Sequence, residues 1–261
     1  MNIKLVVTDL DNTLLRRDKT ISEYTKTIFK CLRGHGILTA FATSRSVRAS
    51  ARFRAMITPD IDIASGGAVA TSDGKILFRA AIDTKTANDI IRDLKTSAGV
   101  LQITADTEEY YFNSKPIDSS LAGWVDYADS ITTDFSTPLC VPDVFKITPN
   151  AVSAGTILAI TDHYPSVDVL NFTGEDWYQI KSRRASKQYA LATVCAELGI
   201  AISEVVAFGD DNNDIEMLRD CGIGVAVANA IDEVKAVADY ICGDCDNDSV
   251  ANWLEENVLC R

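Results

Sequence analysis

Lys4-Leu5-Val6-Val7-Thr8-Asp9-Leu10-Asp11-Asn12-Thr13 begins as a short β-branched apolar run and ends among aspartates. Runs of this kind, apolar on both faces, are buried strands of parallel sheets. Residues i and i+2 of an extended chain point to one side, so Asp9 and Asp11 share a small volume. Two carboxylates that close stay ionised together only beside a cation; otherwise one takes a proton. A cation makes the pair a hard-oxygen magnesium site. A proton makes one of them a general acid beside a nucleophile. Taken alone, the pair reads equally well as surface aspartates trailing a strand.

Outward from this strand the pattern repeats. Ser22 to Leu32 is helical, with Ser22 as its N-cap and Gly34 and Gly36 at its end. Ile37 to Ala42 is a second buried strand, Val47 to Met56 a second helix, and Ile61 to Ala64 a third strand ending at Gly66-Gly67. This β-α-β-α-β order with short links predicts a parallel sheet with crossover helices. The pattern then changes. Thr71 to Phe78 reads as a hairpin turning at Asp73-Gly74. Ala87 to Ala98 and Ala151 to His163 read as helices. Val100 to Thr104, Glu109 to Asn113, Val144 to Thr148, Val167 to Phe172 and Trp177 to Lys181 read as strands. After Ser186 the first pattern returns: helix Lys187 to Leu198 closed by Gly199, strand Val205 to Phe208, helix Ile215 to Cys221 and strand Ile223 to Val227. A helix at Ile231 to Ala238, a short strand at Asp239 to Ile241 and a helix at Val250 to Glu256 complete it. The expected organisation is an α/β core of residues 1–80 and 185–261, interrupted by an α+β domain at 81–184.

Composition bounds the function. The chain has 261 residues, 47% of them hydrophobic and 24% charged, enough for a sizeable core without a disulfide or metal staple. It carries 25 Lys and Arg against 37 Asp and Glu, a net charge of −12. Basic residues occur in nothing longer than pairs such as Arg16-Arg17 and Arg183-Arg184, which argues against nucleic acid and against an anionic membrane surface as partners. No apolar stretch is long enough to span a bilayer, and Met1-Asn2-Ile3-Lys4 has no signal-peptide pattern. Seven scattered cysteines read as reduced thiols of a cytoplasmic protein. Cys242 and Cys245 have metal or redox spacing, but no second pair matches them.

Three more clusters follow the same placement. Phe41-Ala42-Thr43-Ser44-Arg45 ends the second strand, where a hydroxyl and backbone N–H groups can seat an anion or simply cap a helix. Ser186-Lys187 opens a helix, and a lysine at that end calls for a compensating anion unless it is solvated. Phe208-Gly209-Asp210-Asp211-Asn212-Asn213-Asp214 runs from a strand into three acids, which suit a divalent cation or an Asx-rich helix cap. In open α/β sheets ligands bind at the carboxyl ends of strands, so four such clusters on one sheet edge read together as one site.

Together these residues resemble the haloacid dehalogenase superfamily of phosphotransferases, in its Cof-type sugar-phosphatase-like branch. Asp9, Asp11 and Thr13 match the first motif, Thr43 the second, Lys187 the third, and Gly209, Asp210, Asn213 and Asp214 the fourth. The first and fourth motifs are specific; the other two are confirmatory. The chain departs from the branch at Ser44, at Asn12 and at Ser65-Gly66-Gly67, where Gly, Gly and Asn-Gly-Ala are common, and no catalytic group is lost.

The resemblance implies a Rossmann-like core with an inserted α+β cap that closes over it. It implies Asp9 as the nucleophile forming an aspartyl-phosphate, and Asp11 as acid for the leaving alkoxide and then base for water. Mg2+ would be held by the Asp9 carboxylate, the Asp11 backbone carbonyl and the Asp210 carboxylate. Thr43, Ser44 and Lys187 would bind the phosphoryl oxygens. Asn213 would serve at the phosphate or, with Asp214 and Thr13, in support of the site. Asp214 would orient Lys187 or a water on the metal. Asp176, Trp177 and Arg183 are candidates for substrate contacts from the cap. An acid at position 11 and no membrane span favour a phosphatase or phosphomutase of small phosphorylated metabolites, sugar phosphates foremost. A phospho-ligand sensor on the same fold is the alternative from another class, although a pure binder needs neither nucleophile nor acid.

Overall fold

The computed structural model describes residues 2–116, 130–171 and 174–260. The chain divides into two compact units: Met1–Arg45 with Ser50–Phe78 and Ser186–Arg261, and Ser46–Ala49 with Arg79–Ala185.

The first unit begins with β1 (Leu5–Thr8), α1 (Glu23–Gly34), β2 (Leu38–Ala42), α2 (Ala51–Ile57), β3 (Ile61–Ala64), β4 (Val69–Ser72) and β5 (Lys75–Arg79). The inserted unit contributes β6 (Ile82–Asp83), α3 (Thr84–Thr96), β7 (Val100–Asp106), β8 (Tyr111–Asn113) and β9 (Ser130–Thr132). It continues with β10 (Asp143–Val144), β11 (Lys146–Ala151), α4 (Ala154–Thr161), β12 (Val167–Asn171) and β13 (Tyr178–Ser182). The first unit resumes with α5 (Lys187–Leu198), β14 (Val205–Gly209), α6 (Ile215–Asp220), β15 (Ile223–Ala226), α7 (Asp232–Val237), β16 (Tyr240–Ile241) and α8 (Ser249–Leu254).

The first unit is an α/β fold on a sheet of order β16-β15-β14-β1-β2-β3-β4-β5. β1 is fully buried and pairs in parallel with both β14 and β2, as its unbroken apolar run requires. In register, Thr8 lies opposite both Phe208 and Phe41, so the residues that follow these three strands emerge at one edge. The chain winds one way through β1, β2 and β3 and the other way through β14, β15 and β16. Between β1 and β14 the winding reverses, which is where such sheets bind ligands. α1 buries Thr25, Ile28, Phe29 and Leu32, a helical stripe, and Ser22 Oγ accepts from the Thr25 N–H at 3.0 Å.

The inserted unit is α+β: a sheet of order β12-β13-β11-β7-β8-β9 beside a two-stranded β10-β6 pair. Ile103, Ala105, Ile147 and Ile180 of the sheet share a core with Ile90 and Leu94 of α3 and Ile157 of α4. The alternate residues are polar and include Lys146 and Asp106, 3.3 Å apart.

Several boundaries differ from those the sequence suggests. The helix expected over Val47 to Met56 begins only at Ala51, because Ser46 Oγ accepts from the Ala49 N–H at 3.2 Å and closes a local turn. The helix expected from Ala151 begins at Ala154, since Ala151 belongs to β11 and Ser153 caps the helix. The helix expected from Ala87 begins at Thr84, capped by Asp83. Phe172, expected to end a strand, lies outside the described residues. Among the described residues no helix is long and apolar enough to cross a membrane.

Candidate active site

The loop after β1 is held by its backbone. The Asp9 N–H donates to the Phe208 carbonyl at 3.0 Å, and the Leu15 N–H returns to Leu10 O at 2.7 Å. The reversal runs through Asn12 at φ 58, a left-handed position that Asn tolerates better than most residues. Thr13 Oγ1 then donates to Asp210 Oδ1 at 2.7 Å, tying the β1 loop to the β14 loop.

Two close approaches set the rest. Gly67 has φ +88, and a Cβ there would lie 2.2 Å from the Ser186 carbonyl atoms. The turn after β3 therefore passes directly against the start of α5, where Ser186 Oγ caps the helix through the Tyr189 N–H at 3.0 Å. A Cβ on Gly209 would lie 2.4 Å from that of Asp214, so β14 meets the Asp214 side chain without a spacer. Asp214 Oδ2 accepts from the N–H groups of Asp210 and Asp211 at 3.0 and 3.2 Å.

Between these anchors lies Lys187, whose side chain has 0% exposure. Its Nζ donates to Asp9 Oδ1 at 2.6 Å and to Asp214 Oδ1 at 2.7 Å. Burial alone lowers a lysine, but the Asp214 and Asp9 carboxylates outweigh it and hold Lys187 above its ordinary range. Asp9 is pushed up to about 7, by burial first, against the pull of Lys187 and with the push of Asp214 and Asp11. Asp210 is pushed up to about 8 by burial and then by Asp9 and Asp214.

Oxygen atoms of Asp9, Asp210 and Asp214 lie within 4.8 Å of one another. Three carboxylates against one lysine leave two negative charges. Burial and mutual repulsion raise Asp9 and Asp210, a cation between them would relieve the repulsion, and all three acids offer hard oxygens. That donor set fits a divalent magnesium ion. Asp214 is already taken by Lys187 and two backbone N–H groups, which leaves Asp9 and Asp210 as the carboxylates for a metal.

Asp11 sits differently. Arg45 forks onto it, Nε to Oδ2 and Nη2 to Oδ1, each at 2.7 Å, and Lys19 Nζ reaches Oδ1 at 2.9 Å. Burial alone raises its carboxyl; the Arg45 hydrogen bonds and the Arg45 and Lys19 charges outweigh burial and hold it below the usual carboxylate range. Asp11 thus rests in its ionised, base form. Arg45 is itself buried and lies 5.0 Å from the centre of the Phe53 ring. The sequence carried Arg45 only as the tail of the second cluster and gave no role to Lys19.

Thr43 is buried and its Oγ1 accepts from the Arg45 N–H at 3.1 Å. Ser44 Oγ accepts from Asn213 Nδ2 at 2.7 Å, so Asn213 acts on Ser44. Asp9, Asp11, Thr13, Thr43, Ser44, Lys187, Asp210, Asn213 and Asp214 all belong to the first unit. Their contacts form three sets: Asp9, Lys187, Asp214, Asp210 and Thr13; Asp11 and Thr43 through Arg45; and Ser44 with Asn213.

Asp176, Trp177 and Arg183 belong to the second unit. Arg183 pairs with Asp168 on an exposed surface at 3.0 Å. Asp176 is exposed and Trp177 half-buried, bridged to Asn150. Cys242 and Cys245 are free thiols. The acids flanking Cys245, Asp244 and Asp246, are both held by Arg17.

The sequence profile of the haloacid dehalogenase-like hydrolases matches residues 6–254. The chain belongs to that family. This haloacid dehalogenase-like hydrolase is of the Cof type, and its named relatives run nearly its whole length. It is 27% identical to the 5-amino-6-(5-phospho-D-ribitylamino)uracil phosphatase YitU of Bacillus subtilis, over 97% of this chain and 96% of that protein. It is 26% identical to the phosphoglycolate phosphatase of Methanopyrus kandleri, over 97% of this chain and 96% of that protein. Among solved structures, the HAD subclass IIB sugar phosphatase BT4131 shares the fold with a TM-score of 0.81 at 20% identity, covering 97% of this chain and 98% of that one. The family places the chain among the phosphoric monoester hydrolases that act on small phosphorylated compounds.

Proposed function

We propose that the protein is a magnesium-dependent phosphatase of small phosphorylated metabolites, sugar phosphates among them, working through a phosphoryl group on Asp9. The observation that carries this reading is the buried contact of Lys187 with Asp9, beside Asp210, at the end of β1. A pure phosphate receptor has no use for a carboxylate held at the centre of an anion site, because the two repel. A nucleophile belongs there.

Asp9 attacks phosphorus and the bond from phosphorus to the leaving oxygen breaks; Asp11, ionised at rest, takes up a proton from solvent as the substrate binds and passes it to that oxygen. Asp11, now ionised, takes a proton from water; the water oxygen attacks phosphorus, and the bond to Asp9 breaks to release phosphate. Lys187 neutralises the transferring oxygens and fixes Asp9, and the Thr43 and Ser44 hydroxyls orient the group. Asp9, Asp210 and the Asp11 backbone carbonyl would hold magnesium, which supplies positive charge to the phosphoryl oxygens. Seven free thiols support a reducing, cytoplasmic location.

The test is hydrolysis of 4-nitrophenyl phosphate and of a sugar-phosphate panel, with magnesium or with EDTA, by the wild type and Asp9→Asn. Turnover that needs magnesium and vanishes in Asp9→Asn supports the reading. Turnover that persists in Asp9→Asn, or none on any ester, removes it.

A further inference from the structure

The geometry points to Lys19 as a positioning residue for Asp11, on a loop built to deliver it; this role rests on the phosphatase reading above. Lys19 Nζ lies 2.9 Å from Asp11 Oδ1, and both side chains are mostly buried, at 16% and 17% exposure. The Arg45 fork comes from the end of β2, and Lys19 comes from the loop between β1 and α1. Asp11 is therefore held from two independent pieces of chain.

The loop's construction shows what the lysine is for. Its turn is closed by the Lys19 N–H to Arg16 O at 2.8 Å and the Arg16 N–H to Thr20 O at 3.2 Å. Asp18 Oδ1 accepts from both the N–H and the hydroxyl of Thr20. Arg16 pairs with Asp248 at 2.7 Å, and Arg17 grips Asp244 and Asp246, so the loop is fastened to the 244–248 turn without Lys19. Yet Lys19 occupies a left-handed position, φ 62, that Gly or Asn fills with less strain. A long, flexible cation at a strained backbone position is an unfavourable choice for stability, since ordering it costs side-chain entropy. What the choice supplies is an ammonium on Asp11 Oδ1, directed there by the same backbone turn that Arg16 and Arg17 lock.

The consequence is geometric. The Arg45 fork fixes the plane of the Asp11 carboxylate, and Lys19 adds a second cation on Oδ1, the oxygen that Arg45 Nη2 also holds. A carboxylate that must reach the leaving oxygen and then water has to be held close to its working geometry. Loss of Lys19 leaves the fork and the fold in place but lets Asp11 move. The effect should grow with the leaving group's need for a proton.

The experiment compares phenyl phosphate, a poor leaving group, with 4-nitrophenyl phosphate, a good one. It uses the full chain as wild type, Lys19→Met, Lys19→Arg, Asp11→Asn and the Lys19→Met/Asp11→Asn double variant, with thermal midpoints taken alongside. Lys19→Met should lower kcat on phenyl phosphate about tenfold, against less than about threefold on 4-nitrophenyl phosphate, with KM little changed. Lys19→Arg should recover most of the loss. In the Asp11→Asn background Lys19→Met should add nothing further, because it acts through Asp11. Equal losses on both esters, full additivity with Asp11→Asn, or no loss would overturn the role while leaving the phosphatase reading standing. Wild-type protein inert on both aryl esters and on the sugar-phosphate panel would sink the reading and the role together.

Discussion

Lys187 Nζ stands 2.6 Å from Asp9 Oδ1 with no part of the lysine side chain exposed, across 178 residues of sequence. Asp214 holds the same ammonium from the other side at 2.7 Å. Replacing Lys187 with Met strands two buried carboxylates. That change should cost about 3 kcal/mol of stability and lower kcat by about 10²–10³-fold. Denaturant unfolding and turnover of an aryl phosphate measure the two effects. Activity within tenfold of wild type would mean that Lys187 only fills space.

The glycines at the site are set by contact. Gly67→Ala places a Cβ 2.2 Å from the Ser186 backbone at φ +88, and should destabilise by about 3 kcal/mol or more. Gly209→Ala pushes on Asp214 and should reduce kcat by displacing Lys187. Among the described residues nothing lies within 4 Å of a Cβ placed on Gly34 of α1, so Gly34→Ala should stabilise by roughly 0.5–1 kcal/mol. An unfolding midpoint not lowered by Gly67→Ala, one not raised by Gly34→Ala, or an unchanged kcat in Gly209→Ala would contradict the packing described.

Acidity at the site gives a pH signature. Asp9 and Asp210 stand at about 7 and about 8 in the folded protein without metal, against the ordinary 3.8 when unfolded. Between roughly pH 4 and 8 the folded state keeps protons that the unfolded state has released, so metal-free stability falls as pH rises through that window. Asp11 is shifted the other way; its contribution is present above the ordinary 3.8 and is lost only as pH falls below it. On the proposed reading, magnesium would replace the protons on Asp9 and Asp210. In EDTA the thermal midpoint should drop from pH 5 to pH 8. Magnesium at about 100 times its Kd should restore about 2.7 kcal/mol at pH 8 and much less at pH 5. An equal magnesium effect at both pH values would place the ion elsewhere.

The parallel strands were readable because burial on both faces leaves an unbroken apolar run, as in Leu5–Thr8 and Val205–Gly209. α5 was readable to the residue, because Ser186 and Gly199 mark its ends with side-chain and left-handed caps. The start of α2 was not, since the Ser46 turn competes locally with a helix that composition alone favours. β9 was not, because Ser130-Ile131-Thr132 is too short and polar to signal a strand. At the site, Asp9, Thr43 and Asp210 follow strands and could be found by position. Arg45 meets Asp11 across 34 residues and Lys19 meets it through a turn, and neither contact leaves a periodic or spacing signal.

The central claim is that Asp9 itself carries the phosphoryl group. Wild-type protein mixed with substrate and magnesium, quenched in acid within the first turnover and digested, should yield a phosphorylated peptide spanning Asp9, and the mass of that peptide is the measurement. The account predicts the modification on Asp9 in the wild type and none in Asp9→Asn. Rapid turnover with an unmodified Asp9 peptide at every quench time, or the phosphoryl group on another residue, would contradict it.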